Sequence, residues 1–145
     1  MGKRRGGETD TAEELLESTL QSVDRAEALA LGLAGRAGFA EEDLHRIATA
    51  VRECVVNAVA HGNQYSRHKK VRLSLLASAD RLTVVVADQG EGFDIDELPN
   101  PLAEENLLRS SGRGLFLIHA FMDEVKVRRI QDGTEVTLIK YRVSK

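Results

Sequence analysis

The chain has 145 residues, of which 42% are hydrophobic and 30% are charged, and its formal net charge is −3. This length suits one globular domain whose core needs no disulfide or metal to hold it together. The slightly acidic balance argues against the concentrated basic face of a nucleic-acid-binding protein, so no direct nucleic-acid contact is expected.

The sequence contains no segment suited to a membrane. No apolar run approaches the roughly 20 residues that a membrane span requires. The basic N-terminal residues are followed by acidic residues rather than by the hydrophobic core of a signal peptide. We therefore expect a cytoplasmic protein, with a disordered tail over residues 1–10 and a single domain over residues 11–145. Its one cysteine, Cys54, lies in a predicted helix and is expected to be a buried, inert thiol.

The first element of the domain allows two interpretations. Residues 11–14 have the sequence TAEE, which fits a capping box at the start of a helix. In the alternative, Leu16, Ser18 and Leu20 alternate as in an edge strand, and a helix begins only near Ser22. Pattern alone does not decide between them, and the family resemblance given below favours the strand.

The central prediction is a long helix over residues 41–63. Acids at its start suit the positive end of the helix dipole, and a glycine followed by an asparagine supplies a stop. An apolar stripe at helical spacing comprises Leu44, Ile47, Ala48, Val51, Val55, Ala58 and Val59. The row expected on the opposite, exposed side consists of Ala50, Glu53, Asn57 and His61.

Two strands are predicted after this helix. Residues 71–75 alternate between apolar and polar side chains, as in a strand with one wet face. Residues 82–87 form an apolar, β-branched run typical of an inner strand, which ends at Asp88. The next segment, residues 94–111, holds both prolines and is predicted to be a long loop, for which we expect the role of a lid over a ligand.

The chain is predicted to finish with a helix and a hairpin. Residues 114–122 read as a short buried helix, and residues 125–130 and 135–143 as two strands joined around Asp132-Gly133. The order is thus strand, helix, helix, strand, strand, helix, strand, strand. This order predicts an α+β fold, a two-layer sandwich with the helices on one face of a mixed, mostly antiparallel sheet.

Three turn segments follow the central helix: residues 88–93 (DQGEGF), 112–115 (GRGL) and 132–134 (DGT). Together with Glu53 and Asn57, and in this order, they resemble the four nucleotide-binding boxes of the GHKL ATPase superfamily. Within it, NAVAHGN and GRGLFLIHAFMDEV are similar to the small bacterial anti-sigma-factor serine kinases of the RsbW type. The resemblance implies a histidine-kinase-like ATPase domain with the Bergerat-type sandwich, which binds ATP and Mg²⁺.

An adenine pocket needs an acceptor for the exocyclic amine and a backbone that approaches the ring closely. Asp88, at a strand end, is predicted to supply the acceptor, while Gly90 and Gly92 permit a sharp turn and a close approach. Thr134 is expected to add a hydroxyl or water-mediated contact. The adenine contacts of the family match Asp88, Gly92 and Thr134, and Phe93 lies in the same box.

Triphosphate binding needs backbone N–H groups that point at the phosphates, with a helix N-terminus behind them. The segment Gly112-Arg113-Gly114, immediately before the helix that contains Leu115, meets that need. Arg113 either points at phosphate or is a solvent-facing lid residue, and the sequence leaves both open. The segment is not a Walker loop, since the chain contains no G-x-x-x-x-G-K-[ST] motif.

The central helix carries the residues predicted to perform the chemistry. The amide oxygen of Asn57 suits Mg²⁺, which keeps several waters and binds mainly through the phosphates of the substrate. Glu53, one turn earlier, is placed to accept a proton from the attacking nucleophile, whether water or a protein hydroxyl. His61 is expected to be a structural histidine.

The predicted function is that of an ATP-binding anti-sigma factor and serine/threonine protein kinase that phosphorylates an antagonist (anti-anti-sigma) protein. The alternatives are a nucleotide-binding scaffold of the same fold without kinase turnover, or the catalytic fragment of a histidine kinase. The expected partners are a sigma factor, the antagonist and a second copy of the chain in a homodimer, which the resemblance alone implies. No membrane partner is expected.

Overall fold

The computed structural model describes residues 9–90 and 110–143, and of residues 110–115 it describes the backbone alone. Its elements follow the predicted order. They are β1 (Asp10–Glu17), α1 (Gln21–Ala37), α2 (Glu41–Asn57) with a π-helical turn (Ala58–Gly62), β2 (Lys70–Ala77), β3 (Arg81–Ala87), α3 (Ser110–Phe121), β4 (Glu124–Ile130) and β5 (Gly133–Tyr141). No helix within these ranges is long and apolar enough to cross a membrane.

The five strands form one sheet in the order β1-β2-β3-β5-β4, and each described pair of neighbours is antiparallel. In β2, Val71, Leu73 and Leu75 are buried, whereas Arg72 and Leu76 between and beyond them are exposed. The buried strand residues and the buried helix residues form one core cluster. The helices therefore cover one face of the sheet, and the predicted α+β sandwich is confirmed.

The strand interpretation of the first element is confirmed, and the capping box is wrong. Residues 11–14 lie in β1, each paired with a residue of β2 in an eight-residue antiparallel ladder. A local capping signal cannot compete with that many ladder hydrogen bonds. Of the three residues predicted to alternate in this strand, only the buried Leu16 lies in β1; Ser18 is buried just beyond its end, and the exposed Leu20 precedes α1.

α2 packs against both other helices and against β3, so it lies in the middle of the helical layer. Its predicted apolar stripe is confirmed, because every member is buried except the half-buried Leu44. Beyond Asn57 the helix widens into the π-helical turn, where the Asn63 N–H donates to the Ala58 carbonyl oxygen at 2.8 Å. Such turns are rare and are frequent at functional sites.

α3 begins earlier than the sequence predicts. The pattern places Gly112-Arg113-Gly114 ahead of the helix, whereas the structure begins the helix at Ser110 and includes these residues in its first two turns. Serines suit a helix start, where the N–H groups have no intrahelical partner. Most of the predicted lid, up to residue 109, lies outside the described residues.

Leu73 and Leu76 test the assignment of the two sheet faces. Leu73 is fully buried in β2, so Leu73→Ala should lower the free energy of unfolding by about 2–5 kcal/mol, through lost burial and the cavity that remains. Leu76 lies on the open face and is 43% exposed, so Leu76→Ala should cost about 0.5 kcal/mol or less. Chemical denaturation measures both values, and equal losses would contradict the assignment.

Candidate nucleotide-binding site

Asp88 follows β3 and lies at the centre of the candidate site. It is 3% exposed, and its Oδ1 accepts hydrogen bonds from the backbone N–H groups of Gly90 at 3.1 Å and Thr134 at 3.2 Å. The Asp88 N–H in turn donates to the Thr134 carbonyl oxygen at 3.0 Å. The end of β3 and the start of β5 thus bring together residues that the sequence assigns to two separate nucleotide-binding boxes.

Three glycines let the backbone close around Asp88. A Cβ on Gly62 would lie 2.2 Å from Asp88 Oδ2, and a Cβ on Gly133 would lie 1.9 Å from the Asp88 carbonyl oxygen. A Cβ on Gly90 would lie 1.7 Å from the Gly62 carbonyl oxygen. Any other residue at these positions would force the backbones apart, which explains the predicted need for glycine at Gly90.

Sequence reasoning missed the part that Gly62 and Asn63 play in this site. It treated both as a helix stop, although they follow the predicted catalytic row directly along the chain. Gly62 lies against Asp88, and Asn63 is 1% exposed beside the turn at residues 88–90. The signal available in the sequence was the unbroken stretch NAVAHGN, which joins Asn57 to these two residues.

The second oxygen of Asp88 is available to a ligand. Among the described residues, both hydrogen bonds to this carboxylate go to Oδ1, and Oδ2 accepts none. A buried acceptor without a donor is costly, and it fits a ligand that brings an N–H group, such as the exocyclic amine of adenine. The arrangement fits the adenine contact predicted for Asp88.

Burial raises the pKa of the Asp88 carboxyl above its ordinary value, although the N–H groups of Gly90 and Thr134 and the charge of Lys69 act in the opposite direction. Burial and the nearby negative charge of Asp88 also raise the pKa of the Cys54 thiol to about 12. Cys54 is buried in α2, so it is the inert thiol that the sequence predicts.

The row on α2 is not exposed as predicted. Asn57 is only 7% exposed and Ala50 is fully buried, while Glu53 is half-buried and only His61 is exposed. The prediction failed because a periodic pattern describes one helix, whereas here α1 and α3 both pack on α2 and cover its sides. Ala50 and Asn57 thus lie in the interior of the helical layer, while Glu53 and His61 lie partly or fully at its surface.

Asn57 has the property expected of a ligand-binding amide. No described residue forms a hydrogen bond with its side chain, although that side chain is buried. Buried amides are normally hydrogen-bonded, and an exception calls for a further partner such as water, an ion or a ligand. The half-buried Glu53, one turn earlier, likewise forms no ion pair within the described ranges. Both residues fit a Mg²⁺–nucleotide complex.

The remaining predicted site residues are described only in part. The backbone of residues 112–115 lies within the first two turns of α3, and only the N–H groups at the start of this helix, up to Gly112, lack an intrahelical partner and suit an anion. Nothing is described of the side chains of Arg113 and Leu115, and Gly92 and Phe93 lie outside the described residues. The structure therefore brings together Asp88, Gly90 and Thr134, and it leaves the phosphate-binding roles as predictions.

A family model and several protein relatives match the chain. The model of the histidine kinase-like ATPase domain matches residues 16–140. Serine-protein kinase RsbW of Oceanobacillus iheyensis is 33% identical over 116 residues, which cover 76% of this chain and 73% of that protein. The protein of the same name from Staphylococcus epidermidis is 36% identical over 119 residues, which cover 76% of this chain and 73% of that protein. The one from Bacillus subtilis is 33% identical over 116 residues, which cover 76% of this chain and 72% of that protein.

A solved structure has the same fold. It is the crystal structure of the RsbU and RsbW domains of a Mycobacterium tuberculosis protein, with a TM-score of 0.65 and 20% sequence identity. The match covers 94% of this chain and 33% of that one, so the chain spans about a third of the solved protein. The shared arrangement of strands and helices agrees with the predicted sandwich.

Asp88→Asn tests the buried charge directly, because asparagine keeps an oxygen for the N–H groups of Gly90 and Thr134. The folded-state pKa of Asp88 is raised above the ordinary 3.8, so protonation stabilises the wild-type fold below that value. This stabilisation is lost as the pH rises through the folded-state pKa. The difference in melting temperature, variant minus wild type, should therefore increase as the pH rises from about 3 to about 7. A pH-independent difference would contradict the raised pKa.

Proposed function

The chain belongs to the histidine kinase-like ATPase family, and on that basis we propose that it is an ATP-dependent serine/threonine protein kinase of the RsbW type. It acts as an anti-sigma factor and phosphorylates the antagonist protein that would displace it from its sigma factor. Its relatives named serine-protein kinase RsbW are 33% and 36% identical to it and match it over most of their own length. The inference thus rests on sequence relatives as well as on the shared fold.

One observation supports this function at the level of residues: the buried Asp88 has one oxygen fixed by backbone and one oxygen free among the described residues. In our proposal, Oδ2 accepts a hydrogen bond from the exocyclic amine of adenine. Guanine carries a carbonyl oxygen at the same position, which a carboxylate would repel. The site should therefore prefer ATP to GTP.

The other adenine contacts are proposed from the boxes of the family. Gly90 and Gly92 bring the backbone to the face of the ring, and Phe93 lies beside them in the chain. Thr134, which is 1% exposed and whose N–H fixes Asp88, adds a hydroxyl or water-mediated contact. These roles share one physical requirement, which is that the pocket admits a flat ring without displacing side chains.

The phosphate contacts are proposed for α2 and α3. Asn57 offers its amide oxygen to Mg²⁺, which when bound offsets the charge of the phosphates. The N–H groups at the start of α3, up to Gly112, face the phosphates, and Arg113, Gly114 and Leu115 follow them in the same helix. α3 packs on α2, so both sets of groups belong to one pair of packed helices.

Glu53 is proposed as the general base. The hydroxyl oxygen of a serine or threonine of the antagonist bonds to the γ-phosphorus, the bond from that phosphorus to the departing ADP breaks, and Glu53 accepts the hydroxyl proton. Because Glu53 is half-buried, water has limited access to its carboxylate. Glu53 lies one turn before Asn57, so the base is beside the metal-binding amide. Positioning and charge stabilisation supply most of the remaining rate enhancement.

The partners follow from the same proposal. They are a sigma factor and its antagonist, with a second copy of the chain in a homodimer and no direct contact with nucleic acid. ATP and sigma factors occur in the cytoplasm, so we place the protein there. Residues 11–145 then act as one domain.

The kinase is favoured over the two alternatives. A scaffold without turnover would not need a carboxylate one turn before the metal-binding amide, and Glu53 is present there. The three relatives named above are serine-protein kinases rather than histidine kinases. The histidine-kinase fragment therefore has no specific support.

Glu53→Gln should slow phosphoryl transfer to the antagonist by about 10²- to 10⁴-fold while ATP binding is retained, because the amide cannot accept the hydroxyl proton. Transfer of radiolabelled γ-phosphate to the antagonist measures the rate, and calorimetry measures ATP binding. Glu42→Gln, at an exposed position near the start of the same helix, is the matched control and should leave the rate unchanged.

The outcomes of this experiment separate the hypotheses. Transfer at the wild-type rate by Glu53→Gln would remove the residue from its role as base. Tight ATP binding by the wild type without any phosphorylated antagonist would favour the scaffold.

Asn57→Ala should weaken Mg²⁺-dependent ATP binding by about tenfold or more, the cost of a lost contact to a charged group. Its effect on folding should be small, because no described residue depends on this amide for a hydrogen bond. ATP titrations with Mg²⁺ and with a chelator, and thermal unfolding without nucleotide, give the two effects. Comparable losses of stability and of Mg²⁺-dependent binding would contradict the assignment.

A further inference from the structure

We propose that Asn63 is a positioning residue for the adenine turn, which we define as residues 88–90. Its carboxamide fastens this turn to two other parts of the chain, and so sets how tightly and how selectively the site holds adenine. The inference rests on the proposed function, because it concerns the same site. Asn63 acts through Gln89 and is not expected to contact the nucleotide.

Both polar atoms of the Asn63 side chain are used, and the residue is 1% exposed. Nδ2 donates to the Ser18 hydroxyl oxygen at 2.8 Å and to the Lys70 carbonyl oxygen at 3.0 Å. Oδ1 accepts from the backbone N–H of Gln89 at 2.7 Å. One buried amide thus joins the end of β1, the start of β2 and the adenine turn.

A second set of hydrogen bonds closes this network. The Ser18 hydroxyl donates to the Lys69 carbonyl oxygen, and the Lys70 N–H donates to Gln89 Oε1, each at 2.5 Å. Gln89 is therefore tied to Lys70 directly and again through Asn63. Removal of the central amide would leave several buried or half-buried polar groups without partners at once, which is costly.

The network bears directly on Asp88. Gln89 stands between Asp88 and Gly90, and Gly90 donates the N–H that fixes Asp88 Oδ1. Gly62, the neighbour of Asn63 in the chain, packs against Asp88 Oδ2 and against Gly90. The Asn63 side chain therefore holds the turn by a hydrogen bond, and the backbone of the adjacent Gly62 packs against it. A shift of this residue would move the oxygen proposed to distinguish adenine from guanine.

Unusual backbone conformation surrounds Asn63. Its N–H closes the π-helical turn, and the next two residues, Gln64 and Tyr65, have positive φ angles of 51° and 59°. Residues other than glycine rarely adopt this conformation, which is sterically unfavourable for a bulky residue such as tyrosine. Strain of this kind persists where surrounding contacts over-determine it, and it concentrates at ligand sites. It supports a functional reason for the placement of Asn63.

The test compares Asn63→Ala with the matched control Ser18→Ala. Both remove a buried hydrogen bond of the network, but only Asn63→Ala removes the bond to Gln89. Calorimetric titration with ADP and with GDP, at a temperature where circular dichroism shows both variants folded, gives the affinities and their ratio. A merely structural residue would lower the melting temperature without changing the preference for adenine.

Asn63→Ala should weaken ADP binding by about tenfold or more and lower the ratio of GDP to ADP dissociation constants by about threefold or more. Ser18→Ala should change ADP affinity by less than about threefold. Equal weakening in the two variants, or an unchanged ratio in Asn63→Ala, would overturn the inference. A wild-type protein that binds no ADP would instead overturn the proposed function, so the two failures are distinguishable.

A second variant keeps the proposal testable if Asn63→Ala does not fold. Asn63→Asp keeps an oxygen for the Gln89 N–H and loses the donors to Ser18 and Lys70. It should melt at a lower temperature than the wild type yet bind ADP within about threefold of it. Folded Asn63→Asp protein with ADP affinity reduced by about tenfold would overturn the inference, as would rapid amide exchange of Gln89 in the wild type.

Discussion

The site depends on a close approach between two backbones, that of Gly62 at the end of α2 and that of the turn after β3. A Cβ on Gly90 would come within 1.7 Å of the Gly62 carbonyl oxygen, so the two backbones touch here, and the Asp88 side chain packs against Gly62 beside them. This contact fixes the spacing of the two layers at one end of the sandwich. Asn57 from the helix and Asp88 from the sheet can serve one ligand because of it.

The opposite end of α2 is fixed by charge. Lys140 on β5 is 13% exposed, and its Nζ lies 3.5 Å from the Asp123 carboxylate and 3.9 Å from that of Asp43 near the start of α2. Arg46 binds the same Asp43 carboxylate at 2.9 Å. With one end tied by this cluster and the other by Gly62, α2 is a rigid support. Positioned groups perform chemistry well on such elements, which suits Glu53 and Asn57.

Much of the fold could be predicted because local sequence patterns indicate it. These patterns are the alternation of β2, the apolar stripe of α2 and the turn at Asp132-Gly133. The failures arose where a second element decides the outcome. Asn57 is buried because two other helices flank its own, and no periodicity within α2 reveals that. The hydrogen bonds of Asn63 reach residues 45 and 26 positions away, beyond any local pattern. The site could be located from its motifs, but its supporting contacts could not.

The features that define the site all lower the stability of the nucleotide-free domain. Asp88 is a buried carboxylate whose pKa is raised, the Asn57 amide has no partner in the described part of the chain, and Tyr65 holds a strained backbone conformation. In the proposed function, a nucleotide with its metal would supply what the first two lack, an amine for Asp88 and a cation for Asn57. By linkage, a ligand that binds only the folded state stabilises it, by about 2.7 kcal/mol at a hundred times its dissociation constant. The groups that weaken the empty domain are therefore the ones that make its stability respond to nucleotide.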